Sequence, residues 1–226
     1  DAIVSGNDVS KFAHGINIQF STGNFDVTGN TISDCTRNGI KVNGGSVQAT
    51  VTGNDVSNIV TRDSDDAAIM IEVTDPNSVI QIGKDEADAN TIADSGRGIY
   101  IARPADIALE NTALTNVDEV ISADSKVNIG DIAIEDTFTV NGAPFQITDS
   151  FDYLNPAGQT WGPQEVLASK SIQIINEDAT ATVKDVKLTN TNSIDDAENI
   201  TLLQNGVFSG ITLNTELNAV VKDVIS

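Results

Sequence analysis

Short apolar bursts recur from Asp1 to about Ile134, and within them apolar positions alternate with polar ones. Ile16/Ile18, Ile40/Val42, Ile69/Ile71 and Ile99/Ile101 form one set. Phe25/Val27, Val47/Ala49/Val51, Ile80/Ile82, Ile107/Leu109 and Val127/Ile129 form a second. Val9, Ile32, Val56, Ile92 and, one residue out of step, Leu114 form a third. Alternation with period two turns one face of a strand inward and the other outward. Strands this short, succeeding each other without hairpin spacing, predict successive coils and not a meander. A further inward ladder follows the third set: Phe12, Cys35, Ile59, Ser95 and Val117. It places Cys35 inside as a small apolar group, not outside as a nucleophile.

The coils need corners, and a Gly-Asn phrase marks them. Asn7, Asn30 and Asn54 follow one another at nearly equal intervals; Asn90 comes after a longer one, and Asn111 returns to the shorter step. Two polar stretches, "TRDSDD" and "GKDEADA", lie between Asn54 and Asn90. Removing about a dozen residues there restores a period of roughly 20–25, the mark of a solenoid. Glycine supplies positive φ at a tight corner, and asparagine tolerates it. Identical amides stacked from coil to coil can also hydrogen-bond as a ladder. Asn7, Asn30, Asn54, Asn90 and Asn111 are therefore read as structural.

The stretch "GNTISDCTRNGIKV", Gly29 to Val42, resembles the repeat of right-handed parallel β-helix proteins of the pectate-lyase-like superfamily. The resemblance covers Asp1 to about Ile134 and implies an all-β, right-handed parallel β-helix of about five coils. At about 4.8 Å per coil such a helix is a rod roughly 25 Å long. That fold hosts lyases, hydrolases, epimerases, tailspikes and inert adhesins, so the resemblance points to architecture more than activity.

The register fades after Ile134. Residues 135–170 hold Phe138, Phe145, Phe151, Tyr153 and the only tryptophan, Trp161, with Pro144, Pro156 and Pro163. They are expected to form a junction or aromatic cap, with Tyr153 and Trp161 as candidates for stacking on sugar rings. Residues 171–226 carry a different repeat: "ATVKDVKL" at 181–188 returns as "AVVKDVIS" at 219–226. Ile175-Asn176 matches Leu213-Asn214 at the same offset. Strands are expected at 171–175, 180–188, 199–203, 207–213 and 218–225, forming a second β-rich unit of further coils or a β-sandwich. Both ends fall mid-pattern, Ala2 and Val4 standing where Phe25 and Val27 stand one coil later. Such ends suggest a segment of a longer protein that can associate with itself.

Charge narrows the partners. The 226-residue chain has 33 acidic and 12 basic residues, a net charge of −21. Nucleic acids and anionic membranes both require basic clusters, so neither is an expected partner. No apolar run reaches membrane-spanning length. One cysteine and one histidine, Cys35 and His14, leave no intrachain disulfide and no Cys- or His-rich metal site.

The remaining candidate chemistry is carboxylate chemistry. "DSDDAAIMI", Asp63 to Ile71, and "AHGINI", Ala13 to Ile18, resemble the acidic and histidine strands of polygalacturonase-like hydrolases. That resemblance implies paired acids at Asp65 and Asp66 that protonate a leaving oxygen and activate water. Here, however, the histidine strand precedes the acids by about two coils, and the family's basic R-x-K motif is missing. Lyase-like chemistry would instead draw on Arg97 or Arg103 in "SGRGIYIARP" as base, with calcium on acids. Asp63, Asp65, Asp66, Asp85, Glu86 and Asp88, on two insertions, offer hard oxygen ligands for Ca²⁺. The sequon Asn199-Ile200-Thr201 falls within chance for an Asn-rich chain. The expectation is a non-enzymatic extracellular or cell-surface segment, structural or adhesive, with itself or surface glycans as partners. The alternative is a polysaccharide-binding or polysaccharide-degrading module.

Overall fold

The computed structural model describes residues 1–124, 126, 127, 129–145, 148–162, 164–190, 200–203, 206–213 and 219–222. The chain divides into two compact units, Asp1–Gln146 and Ile147–Ser226, each built of parallel β-solenoid coils, about 8 turns in all.

In the first unit each coil contributes one strand to each of three parallel sheets, and the sheets are the three apolar sets. In the first sheet Ile16, Ile40, Ile69, Ile99 and Ile121 are successive register partners. The second aligns Ala2, Phe25, Ala49, Ile80 and Ile107. The third aligns Val9, Ile32, Val56, Ile92, Leu114 and Val140. Inward residues are fully buried from Val27 and Ile32 through Leu109. Each adds about 1.5–3 kcal/mol of transfer free energy to a core that is aliphatic almost throughout.

The corners explain the Gly-Asn phrase. Gly6, Gly29 and Gly53 have φ of 64°, 63° and 64°, so glycine, not asparagine, supplies the left-handed backbone. The asparagines instead form an amide ladder inside the corner. Asn7 Nδ2 donates to Asn30 Oδ1 at 2.8 Å, Asn30 Nδ2 to Asn54 Oδ1 at 2.9 Å, and Asn54 Nδ2 to Asn90 Oδ1 at 3.1 Å. The same oxygens accept the backbone N–H of Asn7, Asn30 and Asn54. Asn30, Asn54 and Asn90 are buried, and this bonding offsets the cost of their burial.

Two expected positions shift. Thr112, not Asn111, is the register partner of Asn90, and its hydroxyl receives the ladder's last Nδ2–H at 3.3 Å. Asn111 lies outside the ladder with φ of 38°, and this offset absorbs the one-residue slip, leaving Leu114 in register with Ile92. Val127 and Ile129 are buried but do not continue the second sheet. A short 3₁₀ turn, Ile129–Asp131, intervenes, and Ala133–Ile134 pairs with Ala108–Leu109.

A second left-handed column follows the third sheet: Lys11, Asp34, Asn58, Asp94, Asn116 and Asn141. Beyond it Cys35, Ile59 and Ser95 are buried as expected, while Phe12 in the first coil is exposed. Phe138–Val140 and Ala143–Pro144 form an antiparallel hairpin. Asn141 and Gly142 both have positive φ, 50° and 82°, as a two-residue hairpin turn requires.

The second unit is also built of parallel coils, so the sandwich alternative gives way to further solenoid. Thr148–Asn155, Gln164–Asn176, Ile200–Leu203 and Ala219–Lys222 pair in parallel. Thr160–Trp161, Thr182–Lys184 and Val207–Ser209 form another ladder, and Gln164 onward pairs with Val186–Asn190. The expected strands at 180–188 and 207–213 each break once, where Asp185 and Gly210 take φ of 54° and 62°. The "VKDV" repeat is not a structural one. Thr182 and Leu188 align with Val207 and Leu213 on the next coil, whereas Ala219–Lys222 aligns with Ile200–Leu203. Asn199, Asn214 and residues 223–226 lie outside the described residues.

The stretch 135–170 is divided between the units. Its hairpin belongs to the first; Thr148–Asn155 and Thr160–Trp161 belong to the first coil of the second.

Candidate functional site

The outer face of the first sheet gathers most of the candidate chemistry of the first unit. A corner column leads into it. His14 pairs with Asn38 in register, and the Asn38 amide donates to His14 Nδ1 at 3.3 Å. Asn38 Oδ1 accepts the Ala67 N–H at 3.0 Å, and the Ala68 N–H donates to the Arg97 carbonyl at 2.8 Å. Arg97 in turn pairs with Glu119, Nε to Oε2 at 2.6 Å. Gly39 lies next to this column because the sheet begins against the third sheet's side chains. A Cβ there would fall 2.5 Å from Val56 Cγ1 and 2.7 Å from the Ala68 carbonyl oxygen.

The acidic loop between Arg62 and Ala67 folds over this corner. Asp63, Asp65 and Asp66 bring carboxylate oxygens within 4.8 Å of one another. Asp66 is buried, and its Oδ2 accepts the N–H groups of Arg62 and Asp63 at 3.0 and 2.9 Å. Asp63 pairs with Arg37 at 3.0 Å. Arg97 Nη1 donates to the carbonyls of Ser64 and Asp66 at 2.6 and 3.0 Å, tying the loop down. Asp85 and Asp88 do not join this group. Asp85 precedes and Asp88 ends the 3₁₀ turn Glu86–Asp88 at the corner between the second and third sheets, where the Gly53 N–H donates to the Asp88 carbonyl. Arg103 is exposed at the corner after the strand.

Outward positions on the sheet complete the face. Lys41, Met70 and Tyr100 are successive register partners, as are Asn43 and Glu72. Lys41 Nζ lies 3.0 Å from Glu72 Oε2, and Arg97 lies 5.4 Å over the Tyr100 ring. Met70 is buried although it faces outward. Burial, with the Asp124, Asp65 and Glu72 carboxylates nearby, pushes the Tyr100 hydroxyl up. His14 is held below its ordinary value by burial, then by the positive charges of Lys41 and Arg37, with Asp66 and Asp65 opposing. Burial raises the Cys35 thiol, as an inert interior cysteine requires.

This face therefore mixes acids and bases across adjacent coils, and Arg37, Lys41 and Arg97 each already hold a carboxylate. Lys41, Glu72, Tyr100 and Glu119 escaped the sequence reading. Their signal was the outward half of the alternation, which becomes a constellation only once the coils are placed in register.

In the second unit Tyr153 and Trp161 stack on each other, ring centroids 4.1 Å apart, with Phe151 at 6.3 and 5.9 Å. All three are half-buried against the core of Val166, Ile172, Ile174 and Val183. Phe151 and Tyr153 occupy the inward positions that Ile172 and Ile174 take one coil later. The trio forms the first layer of that core.

Compared with known proteins, the chain matches no family model, no curated protein and no solved structure. Among the described residues no helix is long and apolar enough to cross a membrane.

Proposed function

We propose that this chain is a non-enzymatic structural or adhesive β-helix segment of a larger extracellular or cell-surface protein. The observation that carries the reading is the state of the bases on the mixed face. Arg37, Lys41 and Arg97 are bound to Asp63, Glu72 and Glu119, each within 3.0 Å. A base that takes a substrate proton, or a cation that holds a uronate, has to be free to meet it. Here the cations staple one coil to the next. The buried amide ladder serves the same end. Such coils suit the pectate-lyase-like resemblance of Gly29–Val42 in architecture, with rigidity in place of chemistry. Ile3 and Val60 are 70% and 53% exposed, which supports contact with a second copy.

The test is incubation with a panel of neutral and uronate polysaccharides, followed for new reducing ends and for the ultraviolet absorbance of unsaturated uronates. No turnover is expected; turnover that Asp65→Asn or Asp66→Asn removes would refute the reading. Light scattering across a concentration series reads self-association, and a strictly concentration-independent monomer would count against it.

The second reading, a polysaccharide-binding or polysaccharide-degrading module, draws on one observation: Asp65, Asp66, Arg97 and Tyr100 share a face. Affinity electrophoresis in gels containing each polysaccharide tests the binding form. Calorimetric titration with Ca²⁺ tests whether Asp63, Asp65 and Asp66 act with a metal in it.

A further inference from the structure

On the outer face of the first sheet, three functional groups share one oxygen atom. Lys41 Nζ lies 3.0 Å from Glu72 Oε2. Asn43 Nδ2 donates to that same oxygen at 3.0 Å. Lys41 and Asn43 stand two residues apart on one strand, so their side chains leave the same face. Glu72 is the register partner of Asn43 on the next strand. The Lys41 and Glu72 side chains are only 16% and 30% exposed. An amine, a carboxamide and a carboxylate touching both nitrogens are the components of an amide exchange. We propose that Lys41 and Asn43 join in an isopeptide bond, with Glu72 carrying the protons.

The step balances without an external reagent. The Glu72 carboxylate takes a proton from the Lys41 ammonium. The freed Nζ lone pair attacks Asn43 Cγ, and a C–N bond forms as the carbonyl becomes tetrahedral. Glu72 delivers its proton to Nδ2, the Cγ–Nδ2 bond breaks, and ammonia leaves. Ammonia takes up the second proton that Nζ sheds as the new amide forms. One ammonium side chain and one carboxamide become a secondary amide and an ammonium ion, and Glu72 ends as it began. Nothing is oxidised or reduced.

The geometry favours this over an ordinary ion pair in two respects. General acid–base catalysis needs the carrier within hydrogen-bond reach of both the attacking and the leaving nitrogen, and Oε2 reaches both. Both reactants are also fixed on one strand of a stacked sheet, so the attack is intramolecular. The product would remove one positive charge from the face and stiffen the strand at its outer surface. It would replace the Lys41–Glu72 ion pair, one of the three staples between coils, and it leaves those of Arg37 and Arg97 in place.

Intact-mass measurement of natively purified protein, followed by tryptic mapping, tests the bond. The expected mass is that of the sequence less one ammonia. Trypsin should fail to cut after Lys41, and fragment spectra should link Lys41 to Asn43. Glu72→Gln should keep its full sequence mass, as should Lys41→Arg. Asn43 precedes Gly44, and closure of its side chain on the Gly44 nitrogen would also release ammonia. Lys41→Arg separates the two, because a succinimide at Asn43 forms without the lysine. Protection of Cys35 from thiol reagents shows that each variant is folded; if Glu72→Gln is not, Lys41→Arg still decides the matter. A wild-type mass equal to the sequence mass, with normal cleavage at Lys41, overturns the proposal. So does an ammonia loss that persists in Lys41→Arg.

Discussion

Replacing Asn54 by alanine removes the centre of the corner ladder. Its Oδ1 accepts the Asn30 backbone N–H at 3.1 Å and Asn30 Nδ2 at 2.9 Å. Its Nδ2 donates to the carbonyls of Val27 and Thr52 and to Asn90 Oδ1. After truncation Asn30 Nδ2 keeps the carbonyls of Val4 and Thr28, and Asn90 Oδ1 keeps the residue-54 N–H. The Asn30 backbone N–H loses its acceptor in a buried corner. An orphaned buried amide costs about 1–3 kcal/mol, and the remaining lost bonds, whose groups largely keep another partner, add about 1 kcal/mol together, for a total of about 3 kcal/mol. Asn7→Ala is the matched control. Asn7 is exposed and only donates, to the Ser5 carbonyl and Asn30 Oδ1, so water replaces it at about 0.5 kcal/mol. Cys35 reports the difference locally, since its thiol is buried within the same unit and labels only when the coil opens. At about 1.4 kcal/mol per tenfold, Asn54→Ala should label on the order of 50- to 100-fold faster than Asn7→Ala. Labelling rates within about threefold of each other, a gap under about 1 kcal/mol, would refute the claim that the buried amides hold the corner.

Arg97→Ala should destabilise the first unit by about 2 kcal/mol, since it breaks a mostly buried ion pair and frees two loop carbonyls. Limited proteolysis should then cut between Thr61 and Asp66 faster than in the wild type. Gly39→Ala should cost about 2–3 kcal/mol in a urea titration, because its methyl meets Val56 and the Ala68 carbonyl with no room to turn away. His14 gives stability a pH slope. Its folded value lies below the ordinary 6.5, so the unfolded chain binds the proton more readily. The contribution is full above 6.5 and is lost as pH falls from there through the folded value. His14→Gln should flatten that part of the curve of urea midpoint against pH; an unchanged slope would assign it to other groups.

The three sheets were legible because their signal is local and repeated. Each inward residue is stated by its own alternation, and Ile16, Ile40, Ile69 and Ile99 needed only to be stacked. The corner was half legible. Glycine and asparagine were visible as a pair, but which of them bends and which bonds is a matter of φ and burial. The failures share one cause, that similarity of letters is not equivalence of position. Asn111 matches the ladder by type, yet Thr112 occupies it, because a threonine hydroxyl also accepts the Asn90 amide and returns a hydrogen bond to the Glu110 carbonyl. The "VKDV" phrase recurs along the chain, yet the coils of the second unit repeat at other spacings. The phrase's two Val-Lys pairs, at 183–184 and 221–222, belong to different sheets. A real marker in that unit went unread. Asn155 and Asn176 are register partners on adjacent coils, buried and joined by an amide hydrogen bond of 2.9 Å.

The candidate site was less legible than the fold for a related reason. Inward residues of a solenoid are constrained at every coil and so repeat in type. Outward residues are constrained only by their neighbours in the adjacent coils, which in this face lie a full coil away along the chain. Lys41, Asn43 and Glu72 make no pattern along the chain, and neither do Arg97 and Glu119. They meet only because Ile40, Ile69, Ile99 and Ile121 fix the register beneath them. The acidic loop shows the converse. Asp63, Asp65 and Asp66 stand out in the sequence as a run, but two of the three carboxylates are engaged by position: one on Arg37, one on the loop's own amides. In a stacked coil, what a polar residue does is decided by the strands on either side of it, so chemistry has to be sought across coils and not along them.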